Sequence, residues 1–133
     1  MLGGRLEIST QKKMEFVDIT RLADNLLPAS APMGVLFLFN PHTTAGLTIN
    51  EGADPDVSRD IISGLSAIIP AHLSFRHQEG NSPSHIMASL MGSSLTLLVE
   101  DNHLVLGRWQ KVFFCEFDGP RARNIIWRFT STI

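Results

Sequence analysis

The chain carries a single cysteine, Cys115, which excludes an intrachain disulfide and makes a reducing cytoplasm the expected compartment. Charge is sparse as well. Charged residues make up 18% of the chain, the net charge is −2 and the isoelectric point lies near 6.2. That balance leaves no electrostatic footprint for nucleic acid or for an anionic membrane surface. The longest apolar run, around "GVLFLF", is far too short to cross a bilayer, so no membrane partner is expected. The opening "MLGGRLEIST" has no charged segment followed by an apolar one, so no secretory signal is expected. Internal repeats, low-complexity tracts and linkers are lacking. So are a dinucleotide or Walker-type glycine loop, a nucleophile elbow, and an obvious base beside Cys115.

What is there suits one globular domain over residues 1–133, with 44% hydrophobic residues, enough for a core. "RLEIS" and "MEFVDI" alternate apolar and polar residues and read as strands joined by the polar turn "TQKK". "TRLADNLLPAS" reads as a short helix with Thr20 as its cap and Pro28 at its end. "MGVLFLFN" is continuously apolar, which predicts a strand buried on both faces, and "LTIN" a further strand. In "DPDVSRDIISGLSAIIP" Asp54 can cap a helix that starts at Pro55, with Val57, Ile61, Leu65 and Ile68 or Ile69 as its apolar stripe. Ser82 and Pro83 can open another, with Ile86 and Leu90 on its face and Gly92 at its end. "SLTLLVE" and "HLVLG" flank the turn pair Asp101-Asn102 as a hairpin, and "KVFFCEF" and "NIIWRFTST" predict two more strands around the "DGPR" corner. Strands outnumber helices and hairpins dominate, so the expected class is α+β with a mainly antiparallel sheet and two or three helices.

The polar residues gather at corners, where binding and chemistry commonly sit. His42 follows a strand, Asn50 and Glu51 precede a helix, His77, Glu79, Asn81 and His85 bridge a loop and a helix start, and Glu116, Asp118 and Arg121 surround a turn. Each also has a plain reading. His72 and His103 suit surface loops, His42 a hydrogen-bonded strand end, and Asp54 a helix cap. Glu116 alternates with apolar neighbours and can point to solvent, Asp118 before glycine can be a turn residue, and Cys115 in an apolar strand can simply pack. His77 and His85 are eight positions apart, which is not the spacing of a helical metal motif.

Taken together, imidazoles with a carboxylate suit zinc, and carboxylates with an asparagine oxygen suit magnesium. Arg121 could clamp a phosphate, and the backbone of "GSS" around Ser93 could add N–H donors. On residue type, a divalent metal (zinc or magnesium) is expected on His42, His77 and His85, with catalysis from Asn50, Glu51 and Asp118. A small phosphorylated substrate would be held by Thr43, Asn81, Ser93 and Arg121.

"HTTAGLTINEGADPDV", "RHQEGNSPSHIMASLMGSSLTL" and "LGRWQKVFFCEFDGPR" resemble the YjbQ-like family, also called secondary thiamine-phosphate synthases, from about Val35 to Arg123. The family's histidine motif falls on His42, Thr43 and Thr44, its asparagine–glutamate pair on Asn50 and Glu51, its "H…EGN…H" on His77, Glu79, Gly80, Asn81 and His85, and its "CEFDGPR" on Cys115 to Arg121. The resemblance implies an α+β domain with a sandwich-like sheet, assembly as a homotrimer, and a weak synthase activity. That activity would join a hydroxymethylpyrimidine diphosphate to a thiazole phosphate with release of pyrophosphate. Two rival readings stay open: a metal-dependent phosphate-ester hydrolase, and a non-catalytic homo-oligomer that binds a metal or an anion.

Overall fold

The period-two alternation of apolar side chains is realised in two antiparallel sheets packed face to face. The structure, a computed structural model, describes residues 2–132. Its elements follow in the order β1 (Leu2–Ser9), β2 (Glu15–Asp18), α1 (Thr20–Asp24), β3 (Gly34–Phe39), β4 (Ala45–Glu51), α2 (Pro55–Ile68), α3 (Ser82–Met91), β5 (Ser94–Glu100), β6 (His103–Leu104), β7 (Gln110–Glu116) and β8 (Ala122–Ser131). The five-stranded sheet runs β1-β8-β3-β5-β6 and the three-stranded sheet β2-β7-β4. The fold is α+β, as expected. No helix among the described residues is long and apolar enough to cross a membrane.

Strand β7 shows how the layers are built. Val112, Phe114 and Glu116 lie on one face, and Val112 and Phe114 pack between the sheets against Leu36, Leu38, Leu97, Val99, Ile125 and Phe129. The alternate residues Phe113 and Cys115 turn the other way, with Phe117, onto Ile69, Met87 and Ala88 of the helical layer. Cys115 is therefore a packing residue, and burial pushes its thiol pKa well above the ordinary range.

Several local expectations change. β1 pairs with β8 and β2 with β7, so the "TQKK" turn carries the chain from one sheet to the other and the two strands are not partners. β3 is buried on one face only: Leu36 and Leu38 are closed off while Phe37 and Phe39 are 41% and 48% exposed, because the second sheet covers a single side. Helix α1 stops at Asp24, before Pro28, and Thr20 does not cap it. Its hydroxyl instead donates to Asp18 and accepts from the Val112 N–H at 2.8 Å. α2 begins as expected, with Asp54 accepting from the Asp56 N–H at 2.9 Å. At its end Ile68 is exposed, and Ile69, just past the last turn, is buried.

α3 turns a different face inward than Ile86 and Leu90 predict; both are exposed, and Ser84, Met87 and Ala88 are buried. Small residues decide this. Ser84 donates its hydroxyl to the Phe117 carbonyl at 2.7 Å, and the helix lies so close to β4 that a Cβ on Gly46 would sit 2.8 Å from that of Met91. Gly92 closes the helix with φ of 98°, and the β5–β6 hairpin turns on Asp101 and Asn102, both at positive φ.

Candidate functional site

Three corners meet at one end of the sandwich. The first is shaped by Asn40, the buried residue that follows β3. Its Oδ1 accepts from the His42 N–H at 3.0 Å, and its amide nitrogen donates to the Ala45 carbonyl at 2.7 Å. Its own backbone N–H donates to the Ser93 carbonyl at 2.7 Å. The turn is thus tied at both ends, and His42 is carried back against β8, where its Nε2 accepts from the Asn124 N–H at 3.0 Å. A neutral ring that accepts at Nε2 carries its proton at Nδ1. Burial, and next the positive charge of Arg123, hold this imidazole below its ordinary pKa of 6.5, so it is neutral at neutral pH.

The second corner joins β7 to β8. Glu116 is fully buried and Arg123 nearly so; the guanidinium grips both carboxylate oxygens, with Nε to Oε1 at 2.9 Å and Nη2 to Oε2. Thr10 donates to Oε1 at 2.6 Å and the Asp118 N–H to Oε2 at 3.1 Å, while Arg123 also donates to Thr44 Oγ1 at 2.9 Å. Every partner is hydrogen-bonded, the condition under which a buried charge pair is tolerable. The expectation of a solvent-facing Glu116 is thus corrected. Nearby, Asp118 takes hydrogen bonds from Lys13 Nζ at 2.6 Å, Arg121 Nη2 at 2.9 Å and Asn81 Nδ2 at 2.9 Å. Burial pushes its pKa up, but those donors outweigh it and hold the carboxyl well below the usual range. A carboxylate held that firmly is an anchor and a poor base.

The third corner is the "HQEGN" turn before α3. Gly80 sits at φ of 78°, which bends the chain so that Gly80 N–H meets the His77 carbonyl at 3.1 Å. The rings of His77 and His85 then stand edge to face, 5.2 Å apart and 88° to each other. Asn81, 9% exposed, spends its amide nitrogen on Glu79 and Asp118.

Between these corners lies a cleft of two adjoining lobes, about 480 and 440 Å³, which share Pro41, His42, Thr43 and His85. The larger adds His77, Glu79, Asn81, Arg121 and Arg123; the smaller adds Ser93. Seven of the residues expected in a site are therefore brought together: His42, Thr43, His77, Asn81, His85, Ser93 and Arg121. Asn50 and Glu51 are not. They lie at the far end of β4 from Thr44, about 20 Å along the strand at roughly 3.3 Å per residue, and Asn50 Oδ1 accepts the Glu51 N–H at 2.7 Å. Their expected catalytic role has no geometric support. The sequence reading missed Asn40 and Arg123; only the turn-forming Asn-Pro pair signals the first, and nothing local signals the second.

The donor set does not fit the expected divalent metal as placed. His42 spends Nε2 on a backbone N–H, and among the described residues no group of three His, Cys, Asp or Glu side chains is positioned to hold a metal ion.

Comparison with known proteins places these features in context. Residues 4–132 match the family model described as UPF0047 protein YjbQ-like. The chain is 48% identical over 121 residues to UPF0047 protein MJ1081 of Methanocaldococcus jannaschii, covering 90% of this chain and 88% of that one. It is 45% identical over 121 residues to UPF0047 protein YugU of Bacillus subtilis, with 90% and 92% covered. An uncharacterized conserved YjbQ/UPF0047 protein from Clostridium acetobutylicum superposes with a TM-score of 0.91 at 45% identity, covering 95% and 98% of the two chains. A conserved hypothetical protein from Thermus thermophilus gives 0.89 at 46% identity, with 96% and 99% covered.

These findings correct the expected function. The relatives' names state a family and no reaction, so they support neither thiamine-phosphate synthesis nor metal-assisted or phosphate-ester chemistry. The charge pattern agrees. Each cleft guanidinium already faces a carboxylate and Glu79 adds another, so no surplus positive charge awaits a diphosphate.

Proposed function

Because the chain belongs to the UPF0047 YjbQ-like family, whose compared members are named without a reaction, we propose from the site itself that the corner cleft recognises a small polar molecule, neutral or singly charged. The observation that carries this is the convergence of His42, His77, His85, Arg121 and Arg123 on one open lobe whose charges are mutually compensated. Arg121, half exposed, with Thr43 and the Nδ1–H of His42, offers donors to a ligand's acceptor group. Glu79 supplies an acceptor on the same wall.

The test is a thermal-shift panel of small amides, alcohols, amino acids and monocarboxylates beside phosphate monoesters and diphosphates. A ligand at one hundred times its Kd adds about 2.7 kcal/mol to stability, several degrees in Tm. The expected hit is neutral or singly charged and loses about tenfold in affinity in Arg121→Gln and in His85→Ala. A preference for multiply charged phosphates, or equal binding by both variants, contradicts the reading.

We also propose self-association, in the homotrimer that the resemblance implies, through the uncovered face of the five-stranded sheet. Its support is the exposure of Phe37, Phe39 and Leu98, with Val35 paired to Leu98 on that same face. Light scattering on wild type and on Phe37→Lys/Phe39→Lys decides it: a trimer that becomes a monomer supports the proposal, and a wild-type monomer ends it.

A further inference from the structure

The carboxylate of Asp118 joins two cations that face different spaces. Arg121 lines the larger lobe of the cleft, whereas Lys13 lies in the wall of a separate cavity between α2 and α3 and lines neither lobe. Each cation takes its own oxygen. Lys13 Nζ donates to Oδ1 at 2.6 Å, and Arg121 Nη2 donates to Oδ2 at 2.9 Å, an oxygen it shares with the Asn81 amide. Arg121 Nε is engaged as well, donating to the Asp118 backbone carbonyl at 2.7 Å. The guanidinium thus meets residue 118 along its Nε–Nη2 edge. Its other edge, Nη1 with the second N–H of Nη2, has no partner among the described residues, on a side chain that is 49% exposed.

The backbone holds Lys13 in that place. The Gly119 N–H donates to the Lys13 carbonyl at 3.0 Å, and Glu15 Oε2 accepts from the Gln11 and Lys12 N–H groups at 2.6 and 3.0 Å. A Cβ on Gly119 would collide with the Lys12 carbonyl, so glycine is what lets turn and corner approach so closely.

The charges around the cleft match only when this lysine is counted. Arg121, Arg123 and Lys13 stand against Glu79, Glu116 and Asp118, three charges of each sign. Without Lys13 the surplus is negative. Its loss would also open Oδ1, and a guanidinium beside two open carboxylate oxygens takes both. Arg121 Nε would then leave the backbone carbonyl for the carboxylate, drawing the side chain toward Asp118. Both changes weaken an anion in the cleft and leave an uncharged ligand nearly unaffected.

We propose that Lys13 is a positioning residue for the cleft: by occupying Asp118 Oδ1 it keeps the outer edge of Arg121 available to a small monocarboxylate. The inference rests on the cleft reading above and narrows its ligand to that class, because a planar carboxylate matches the two parallel N–H groups of a free guanidinium edge. Lys13 acts through Asp118 and Arg121 and never meets the ligand.

Lactate and lactamide are the probes, alike in shape and different in charge. They are titrated into the wild-type protein, Lys13→Met and Lys13→Met/Asp118→Asn. The Arg121 Nε–Hε resonance, identified by its loss in Arg121→Lys, is read before and during each titration, and amide spectra confirm that each variant is folded. Without ligand this resonance should move downfield in Lys13→Met, as a carboxylate replaces a carbonyl as acceptor. With ligand, Lys13→Met should bind lactate about three- to tenfold more weakly, the scale of one unit charge near an exposed site, and lactamide as before. The double variant removes the surplus charge and the competing carboxylate together, and should bind lactate at least as well as wild type. Equal loss of both probes, no loss of lactate, or an unmoved Arg121 resonance in ligand-free Lys13→Met overturns the role of Lys13. Failure of lactate to bind the wild type, with the ligand-free downfield move present, instead overturns the carboxylate as ligand and the cleft reading beneath it.

Discussion

Arg123 reaches from β8 to grip both carboxylate oxygens of Glu116 on β7, in a pair that is almost wholly buried. Glu116 shares the face of Val112 and Phe114, so this pair forms the polar end of the inter-sheet core, and Thr10 and Thr44 bind it to the chain on either side. Removing one partner strands a buried charge. Arg123→Met is predicted to cost about 3–5 kcal/mol, and the double replacement Arg123→Met/Glu116→Leu much less than the single changes summed. Urea unfolding of the four proteins in the cycle measures both.

The same pair sets an acid limit. Burial pushes the Glu116 pKa up, but bonds from Arg123, from Thr10 and from the Asp118 N–H bring it below the ordinary 4.5. The unfolded chain then takes up a proton that the folded chain refuses, so this stabilisation is complete above about pH 4.5 and lost as pH falls through the folded value. Asp118, also lowered, acts in the same direction below about 3.8. Stability measured from pH 7 to 2 should fall on the acid side, less so in Glu116→Gln, whose starting stability is lower.

His42 adds a milder effect nearer neutrality. Its pKa lies below 6.5, through burial first and the Arg123 charge second. Its neutral form therefore favours the folded state above about pH 6.5, and that contribution fades as pH falls. Long-range ¹H–¹⁵N spectra should show the Nδ1–H tautomer at pH 7 and a titration midpoint under 6.5.

Two glycines should respond oppositely to alanine. A Cβ on Gly119 would lie 2.8 Å from Glu116 Cγ and 2.9 Å from the Thr10 hydroxyl, beside the Lys12 carbonyl. Gly119→Ala should cost about 1–3 kcal/mol by overpacking at the corner. Gly64, within α2, has nothing within 4 Å of such an atom, and Gly64→Ala should stabilise by about 0.5–1 kcal/mol. Thermal unfolding compares the two directly.

Much of the fold can be read from local chemistry. The Asp54 cap with Pro55 behind it, the Gly92 stop and the Asp101-Asn102 turn each depend on one or two residues, and each forms as its residue types dictate. Partnership is another matter. The alternation in β1 and β2 identifies strands and says nothing about which sheet each joins. Glu116 looked solvent-facing because its partners lie seven and 106 positions away, outside any local pattern. α3 buries its small residues because close approach to Gly46 outweighed the larger apolar pair Ile86 and Leu90.

The candidate site divides in the same way. His42, His77, Asn81, His85 and Arg121 could be singled out because each is an unusual residue at a turn, and the fold brings the turns together. Asn50 and Glu51 carried the same corner signature, yet the length of β4 sets them at its opposite end. Arg123 gave no signal, since an arginine one place into a strand, after a turn that already carries Arg121, looks like an ordinary exposed residue.

The central claim, that the corner cleft is a ligand site, is tested most directly on the five histidines. His42, His77 and His85 line the cleft, while His72 is on an exposed loop and His103 pairs with Asp24 at 3.1 Å elsewhere. Imidazole Cε1–H resonances, followed during titration with the strongest neutral or singly charged hit of the thermal panel, should show His42, His77 and His85 shifting with one common saturation curve and His72 and His103 unmoved. Equal movement of all five, or a ligand that stabilises the protein without moving the first three, would contradict the account.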